Sequence, residues 1–465
     1  MTGPTPPAPP PSPPPRAVPT ARSVAADVLV RVERDGAFAA AALEAEIGRA
    51  VQLDARDRGL VTELVYGSLR VRPWLEERLA SYAARGLGTL DPESRAHLVV
   101  AAYQLFFASR IPAFAAVNAA VDLVTHAKGG KKVGAFANAV LRKIAIEAPK
   151  DDDARLVLRR HALVASAAPW LREALARALG DETAVTFLES AAETPAVSLR
   201  VENAGERDAW LAKLGEATKE ARFEAGNVSP HAILVRGAGK PQALAGYKEG
   251  AWSVQEEGSQ LVALSLGATE GDTVLDACAG RGNKTSMLAR MVGARGAVDA
   301  ADVHAKKLAR LEQELARVGM RARRTFAVDW SVGAGEIDAL YDRVLVDAPC
   351  SGTGTLRRRP ELATRRAPED FAELAKLQLA ILARAAERVR PGGRLVYAVC
   401  SVLREEAEDV VAALLRDAPN LEAVPFDAAA ARAVAGEGAS TLRLSPITHG
   451  TDGYFVASLG RRLRS

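Results

Sequence analysis

Between residues 252 and 465, apolar runs of strand length alternate with helical stretches, and acids punctuate the ends of those runs. Thr273-Val274-Leu275-Asp276 is followed by a helix carrying Met287, Leu288 and Met291. Gly296-Ala297-Val298 leads to Asp302, and a helix follows through Leu308, Leu311 and Leu315. Arg324 to Asp329 and Arg343 to Asp347 are the next two runs. A long helix is expected from about Phe371 to Val389, and Gly393 to Cys400 reads as the last clear buried strand. This alternation predicts an α/β, doubly wound parallel sheet with right-handed crossovers. Ligands of such sheets bind at the carboxyl ends of the strands, where these acids and all three cysteines of the chain fall.

A strand-end acid is often only a helix cap, but Asp276, Asp302, Asp329 and Asp347 around one sheet edge argue for a shared ligand. The loop Ala277-Cys278-Ala279-Gly280-Arg281-Gly282-Asn283-Lys284-Thr285 opens a helix, and its small residues let a ligand approach the backbone. It lacks the third glycine of a dinucleotide-binding turn and the spacing of a P-loop. S-adenosylmethionine suits this layout best. Asp302 is placed for its ribose, and Cys278, Ala279, Gly280, Arg281, Gly282, Asn283, Lys284, Asp329 and Asp347 complete the expected cofactor contacts. Cys278 itself is read as a small buried residue with a backbone role beside the cofactor.

The remainder of the chain divides by pattern. Residues 1–20 are mostly proline and read as a disordered arm. Residues 21–148 read as all-helical, with Val24, Val28 and Val32 on one face, and likewise Leu98, Ala102, Leu105 and Phe106. Lys128, Lys131, Lys132, Arg142 and Lys143 either meet nucleic-acid phosphates or cap a helix end. Residues 149–195 read as a helical linker and 196–251 as a small α+β module, with strands at Val197–Val201 and Ala232–Val235 around a helix from Glu206 to Leu214. The catalytic domain is expected to begin at residue 252.

A chain of 465 residues is too long for one domain. No apolar run reaches the roughly 18 residues that suggest a membrane span. No secretory pattern opens the chain, and three distant cysteines fit a reducing cytoplasm rather than a disulfide framework. No Cys/His grouping has zinc-ligand spacing, so no metal is expected. The net charge of +4 permits a nucleic-acid partner without requiring one. A monomer is expected.

Two resemblances emerge. The 21–148 region, above all the Phe136/Asn138/Ala139/Leu141/Arg142 helix, looks like the NusB-like RNA-binding domain. Over roughly 21–465 the chain closely resembles the bacterial 16S ribosomal RNA cytosine-5 methyltransferases that carry such a domain, within the NOL1/NOP2/Sun superfamily. Four stretches carry the match: Val254 to Gln260, Asp276 to Thr285, Asp347-Ala348-Pro349-Cys350-Ser351-Gly352-Thr353-Gly354 with Arg357 to Glu361, and Cys400-Ser401-Val402-Leu403-Arg404-Glu405-Glu406. The resemblance implies a Rossmann-like, mainly parallel seven-stranded sheet that uses S-adenosylmethionine to methylate C5 of a cytosine in ribosomal RNA. It implies Cys400 as the nucleophile at C6, Cys350 as the group assisting release, and Asp347 as the partner of the base near N3. Arg357, Arg358 and Arg359, beside such a site, would contact phosphate, and a helical target would need its cytosine unstacked.

This sequence departs from the family pattern twice. Arg281-Gly282-Asn283-Lys284 stands where Pro-Gly-Gly-Lys is usual, and Val399 replaces a threonine before the nucleophile. Gly282 and Lys284 remain, as does the thiol. The rival readings are the same chemistry on transfer RNA, an amino-group methyltransferase, which Asp347-Ala348-Pro349-Cys350 does not match, and a non-catalytic RNA-binding or ribosome assembly factor.

Overall fold

The computed structural model describes residues 18–84, 86–126 and 130–463. Lys128 and most of the proline-rich arm lie outside them. The chain forms two compact units, 1–68 with 75–148 and 69–74 with 149–465.

The first unit is helical. Ala21–Arg34 starts on a capping box, in which Thr20 and Ser23 exchange side-chain-to-backbone hydrogen bonds. Pro92–Phe107 starts on Asp91 with proline at its first position. Val28, Leu29, Leu64, Leu98, Val99 and Val124 are buried, as their helical spacing predicts. Ala113–His126 and Gly130–Glu147 cross closely at Gly134, where a Cβ would lie 2.0 Å from Thr125 Oγ1.

In the second unit, helices Asp152–Ser166, Pro169–Leu179 and Asp181–Glu189 precede a small antiparallel sheet. Its strands are β1 (Val197–Val201), β2 (Arg222–Ala225), β3 (Ala232–Arg236) and β4 (Trp252–Val254), in the order β2-β3-β1-β4. Helix Arg207–Ala217 packs on it through Leu214, over Leu199, Ile233 and Trp252. Trp252–Val254 pairs with β1, so the small sheet takes its last strand from the residues where the catalytic region was expected to begin.

The large sheet comprises β5 (Thr273–Asp276), β6 (Ala297–Asp302), β7 (Arg324–Ala327), β8 (Tyr341–Asp347), β9 (Val389–Val399), β10 (Leu421–Ala423), β11 (Thr441–Leu444) and β12 (Tyr454–Arg461). Seven strands run β10-β12-β9-β8-β5-β6-β7, and β11 pairs with β12 as an eighth. Strands β5 to β9 pair in parallel, while β10, β11 and β12 are antiparallel to their neighbours. The chain steps outward from β5 through β6 to β7, then returns to the other side of β5 with β8. The topological switch point therefore lies between β5 and β8, where an open α/β sheet leaves a crevice at its carboxyl edge.

The helix expected through Val389 ends at Ala386, and the strand expected from Gly393 begins at Val389. The pairing register shifts between Tyr341 and Arg343, so the Arg390-Pro391-Gly392-Gly393 segment forms an irregularity inside β9 rather than a loop before it.

Candidate active site

Parallel pairing brings the carboxyl ends of β5, β6, β8 and β9 to one edge. Asp347 is level with Ala398, so Cys350 follows three residues past that register and Cys400 two. The two sulfurs lie 3.2 Å apart. Both side chains are partly buried, and both are free thiols. The Cys350 thiol is pushed well up, first by its hydrogen bond with Cys400 and then by burial.

Lys284, on the first turn of helix Asn283–Val292, reaches across to Asp347, with Nζ 2.6 Å from Oδ2. Burial alone would lower the lysine, but Asp347, with Asp276 and Cys400 adding to it, outweighs burial and raises it. Asp276 is fully buried and pushed up to about 6 by desolvation. Its Oδ2 accepts the Thr285 hydroxyl at 2.7 Å, while its Oδ1 is buried without a hydrogen-bond partner. Burial, then Asp276, Asp347 and Asp302, push the Cys278 thiol up, which makes it a poor nucleophile.

The glycine loop is held from both sides. Gly280 and Gly282 have φ of 58° and 90°, and a Cβ at Gly282 would lie 2.8 Å from Leu311 Cγ. Trp330 Nε1 donates to Ala277 O, and Gly280 N donates to Asp302 Oδ2 at 3.1 Å. Asp302 also accepts from His304 N at 2.8 Å. Ala279 is buried, Arg281 is exposed, and the Asn283 carbonyl accepts from the buried Arg200 of β1. Asp329 lies two residues past the end of β7. It is exposed, and its carboxylate accepts from the backbone and hydroxyl of Ser331.

The arginine run does not act as one surface. Arg357 Nε and Arg358 Nε lie 2.9 and 3.0 Å from the buried Asp452, and Arg358 also donates to Ala196 O. Asp452 N in turn donates to the half-buried Glu256 at 3.0 Å. Burial, followed by repulsion from Asp452, pushes Glu256 up. Only Arg359 of the three is exposed. In the helical unit, Lys131, Lys132 and Arg142 are exposed on Gly130–Glu147, and Arg142 Nε donates to Asn138 Oδ1.

Glu406 lies in one of the four stretches that carry the family resemblance, but the sequence gives its carboxylate no role. In the structure its buried carboxylate accepts from Ser351 N at 2.8 Å, the Ser351 and Ser401 hydroxyls, and Gln378 Nε2 at 2.9 Å. The available signal was a pair of acids five and six positions after a cysteine at a strand end. Asp452 and Glu256 were also missed. Among the described residues, no group of three or more His, Cys, Asp or Glu is arranged to hold a metal ion, and no helix is long and apolar enough to cross a membrane.

The 16S rRNA methyltransferase RsmB/F family model matches residues 263–460, and the NusB family model matches 19–146. The probable ribosomal RNA small subunit methyltransferase B of Bacillus subtilis is 32% identical over 456 residues, covering 95% of this chain and 98% of that one. The chain belongs to the 16S rRNA methyltransferase RsmB/F family. The ribosomal RNA small subunit methyltransferase B of Pseudomonas syringae pv. tomato is 36% identical to this RsmB/F member over 368 residues, 78% of this chain and 80% of that relative. The crystal structure of PH0851 superposes with a TM-score of 0.78 at 25% identity, covering 95% of this chain and 99% of that one. NSun6 from Pyrococcus horikoshii with SFG shares the fold, with a TM-score of 0.56 over 64% of this chain and 99% of that one at 19% identity. As an RsmB/F member the chain is an rRNA methyltransferase. Its NusB-like helical region and mainly parallel Rossmann-like sheet follow the architecture expected from sequence.

Proposed function

We propose that the protein transfers a methyl group from S-adenosylmethionine to C5 of a cytosine in 16S ribosomal RNA through a covalent bond between Cys400 Sγ and C6. The observation that carries this reading is the pair of free thiols 3.2 Å apart, one on each of two adjacent parallel strand ends. The relatives' names and the family's own support a small-subunit rRNA substrate.

The carboxyl edge fits the cofactor. The unpartnered Asp276 Oδ1 suits an ammonium donor, and the glycine loop from Cys278 to Lys284 leaves backbone accessible. Asp302, at the end of β6, would take the ribose. Asp329, exposed past β7, would face the base of the cofactor. Bound S-adenosylmethionine supplies an electrophilic methyl group to the site.

C5 of cytosine is a weak nucleophile within an aromatic ring. Addition of the Cys400 thiolate to C6 breaks aromaticity and makes C5 electron-rich. Negative charge then develops toward N3, where the Lys284–Asp347 pair holds a proton and a carboxylate. After methylation C5 bears both hydrogen and methyl. Release requires loss of that proton and cleavage of the C6–S bond, which returns the Cys400 thiolate.

Two thiolates in contact repel, so the pair ionises in two separated steps. Cys350 keeps the remaining proton while Cys400 is the thiolate. Once Cys400 is bonded to C6 that hydrogen bond weakens and Cys350 ionises more readily. Its own proton passes to solvent, which reaches the partly buried side chain, and the Cys350 thiolate then accepts the C5 proton.

Exposed Lys131, Lys132 and Arg142 on the NusB-like region, and Arg359 beside the site, are the proposed phosphate contacts. The family's ribosomal substrate and the free thiols are consistent with a reducing cytoplasm. The test is nucleoside mass spectrometry after incubation with S-adenosylmethionine and either 16S rRNA or transfer RNA. 5-Methylcytidine in 16S rRNA alone supports the reading. Methylation of transfer RNA alone, a methylated exocyclic amine, or no methylation overturns it.

A further inference from the structure

Among the described residues, Glu406 is the one buried carboxylate that touches both cysteine loops, and it contacts neither sulfur. Oε1 accepts from Ser351 N and from Gln378 Nε2, and Oε2 accepts from the Ser351 and Ser401 hydroxyls, the latter at 2.6 Å. Ser351 and Ser401 are the residues immediately after Cys350 and Cys400. Gln378 also donates to Pro349 O at 2.9 Å, just before Cys350, and the Tyr397 hydroxyl donates to Glu406 O at 2.6 Å. The two loops are tied once more where Gly354 N donates to Cys400 O.

A buried carboxylate is normally paired with a cation. Glu406 is 0% exposed, and among the described residues only neutral donors reach it. Behind its hydrogen bond to Cys400 and its burial, Cys350 is held up by the negative charges of Cys400 and Glu406. Tyr397, pushed up by burial, also carries contributions from Cys350 and Glu406.

We infer that Glu406 is the positioning residue of the thiol pair: by accepting from the residues that follow both cysteines, it holds the two loops so that the sulfurs stay in contact. This rests on the division of labour between Cys400 and Cys350 proposed above. Addition by Cys400 uses that thiol, the base and the Lys284–Asp347 pair but not Cys350, whereas release needs Cys350 aimed at C5. Loss of Glu406 therefore slows release more than addition.

The test is Glu406→Gln in the full-length protein with S-adenosylmethionine and rRNA, alongside Cys350→Ala. Gln keeps the shape, and its oxygen can still accept from Ser351 N and Gln378, but its amide nitrogen would face the Ser351 and Ser401 hydroxyls, from which it cannot accept. We expect kcat to fall by about ten- to a hundredfold, as sub-ångström to ångström misplacement does, with both KM values changed less than about twofold. A slow-migrating protein–RNA band should accumulate on a denaturing gel. If Glu406→Gln does not fold, the Ser351→Ala/Ser401→Ala pair removes both hydroxyl donors and should give the same band. A band with Cys350→Ala but none with either Glu406→Gln or the serine pair overturns this inference alone. No band with any variant, Cys350→Ala included, overturns the reading of the thiols and this inference with it. A kcat loss accompanied by a matching rise in KM and no band would mark Glu406 as merely structural.

Discussion

Lys284 Nζ and Asp347 Oδ2 form a 2.6 Å ion pair that links the helix after β5 to the carboxyl end of β8. It crosses the switch point of the sheet, and both side chains are largely shielded from water. Removing one partner leaves the other poorly solvated, so Lys284→Met should cost about 2 kcal/mol of stability. Lys284→Met with Asp347→Asn should cost less than the sum of the two single changes. A double-mutant cycle in urea measures this coupling, which is expected at about 1–2 kcal/mol.

Asp276 gives a pH dependence of a definite sign. Its folded-state pKa of about 6 is raised by burial above the ordinary 3.8. A raised pKa means that the folded state binds the proton more tightly. The contribution is complete below about pH 4 and is lost as pH rises through 6. Asp276→Asn removes this titration and keeps an acceptor for Thr285. From pH 4 to 7 the variant should gain on the order of 3 kcal/mol relative to the native chain. Paired chemical denaturation curves across that range check it.

The loop that carries Cys350 is fastened at Gly354. A Cβ there would stand 2.0 Å from Gly453 O, and Gly453 N donates back to Gly354 O at 2.8 Å. Neither backbone can yield cheaply. Gly354→Ala should destabilise by about 3 kcal/mol and displace Cys350, with methyl transfer falling more than cofactor affinity. Thermal melts and cofactor titration separate the two effects.

Much of this geometry was legible. Strands buried on both faces of a parallel sheet read as continuous apolar runs, which is why β5, β6 and β8 with their terminal acids, and β9 with Cys400 after it, stood out. The antiparallel end did not. Strand β12 is as buried as β9, but it follows no helix-strand alternation and had no place in the pattern. Arg390 to Gly393 looked like a loop because an irregular strand uses turn residues. The arginines failed for a different reason. A charge run shows that a partner is needed, and Asp452, some ninety residues later, becomes the neighbour of Arg357 and Arg358 only through the fold. Glu406 was hidden likewise, since no spacing shows that one carboxylate will accept from the residues after both cysteines.

The same pairing predicts how the arginines differ in RNA binding. Arg359→Ala should remove one phosphate contact and flatten the slope of log affinity against log salt by about 0.7–0.9. Arg358→Ala should lower stability, because it leaves buried Asp452 with one cation fewer, and should change the salt slope little. Filter binding over a salt series, with melting curves for each variant, distinguishes them.

The central claim is that Cys400 bonds to the base and Cys350 lets it go. Its most direct measurement is a denaturing gel of each cysteine variant after incubation with S-adenosylmethionine and radiolabelled 16S rRNA. Cys350→Ala should retain a covalent RNA band, while Cys400→Ala and the double variant show none and lose methyl transfer by at least about a thousandfold. A covalent band with Cys400→Ala, or methylation that survives its loss, would contradict the account.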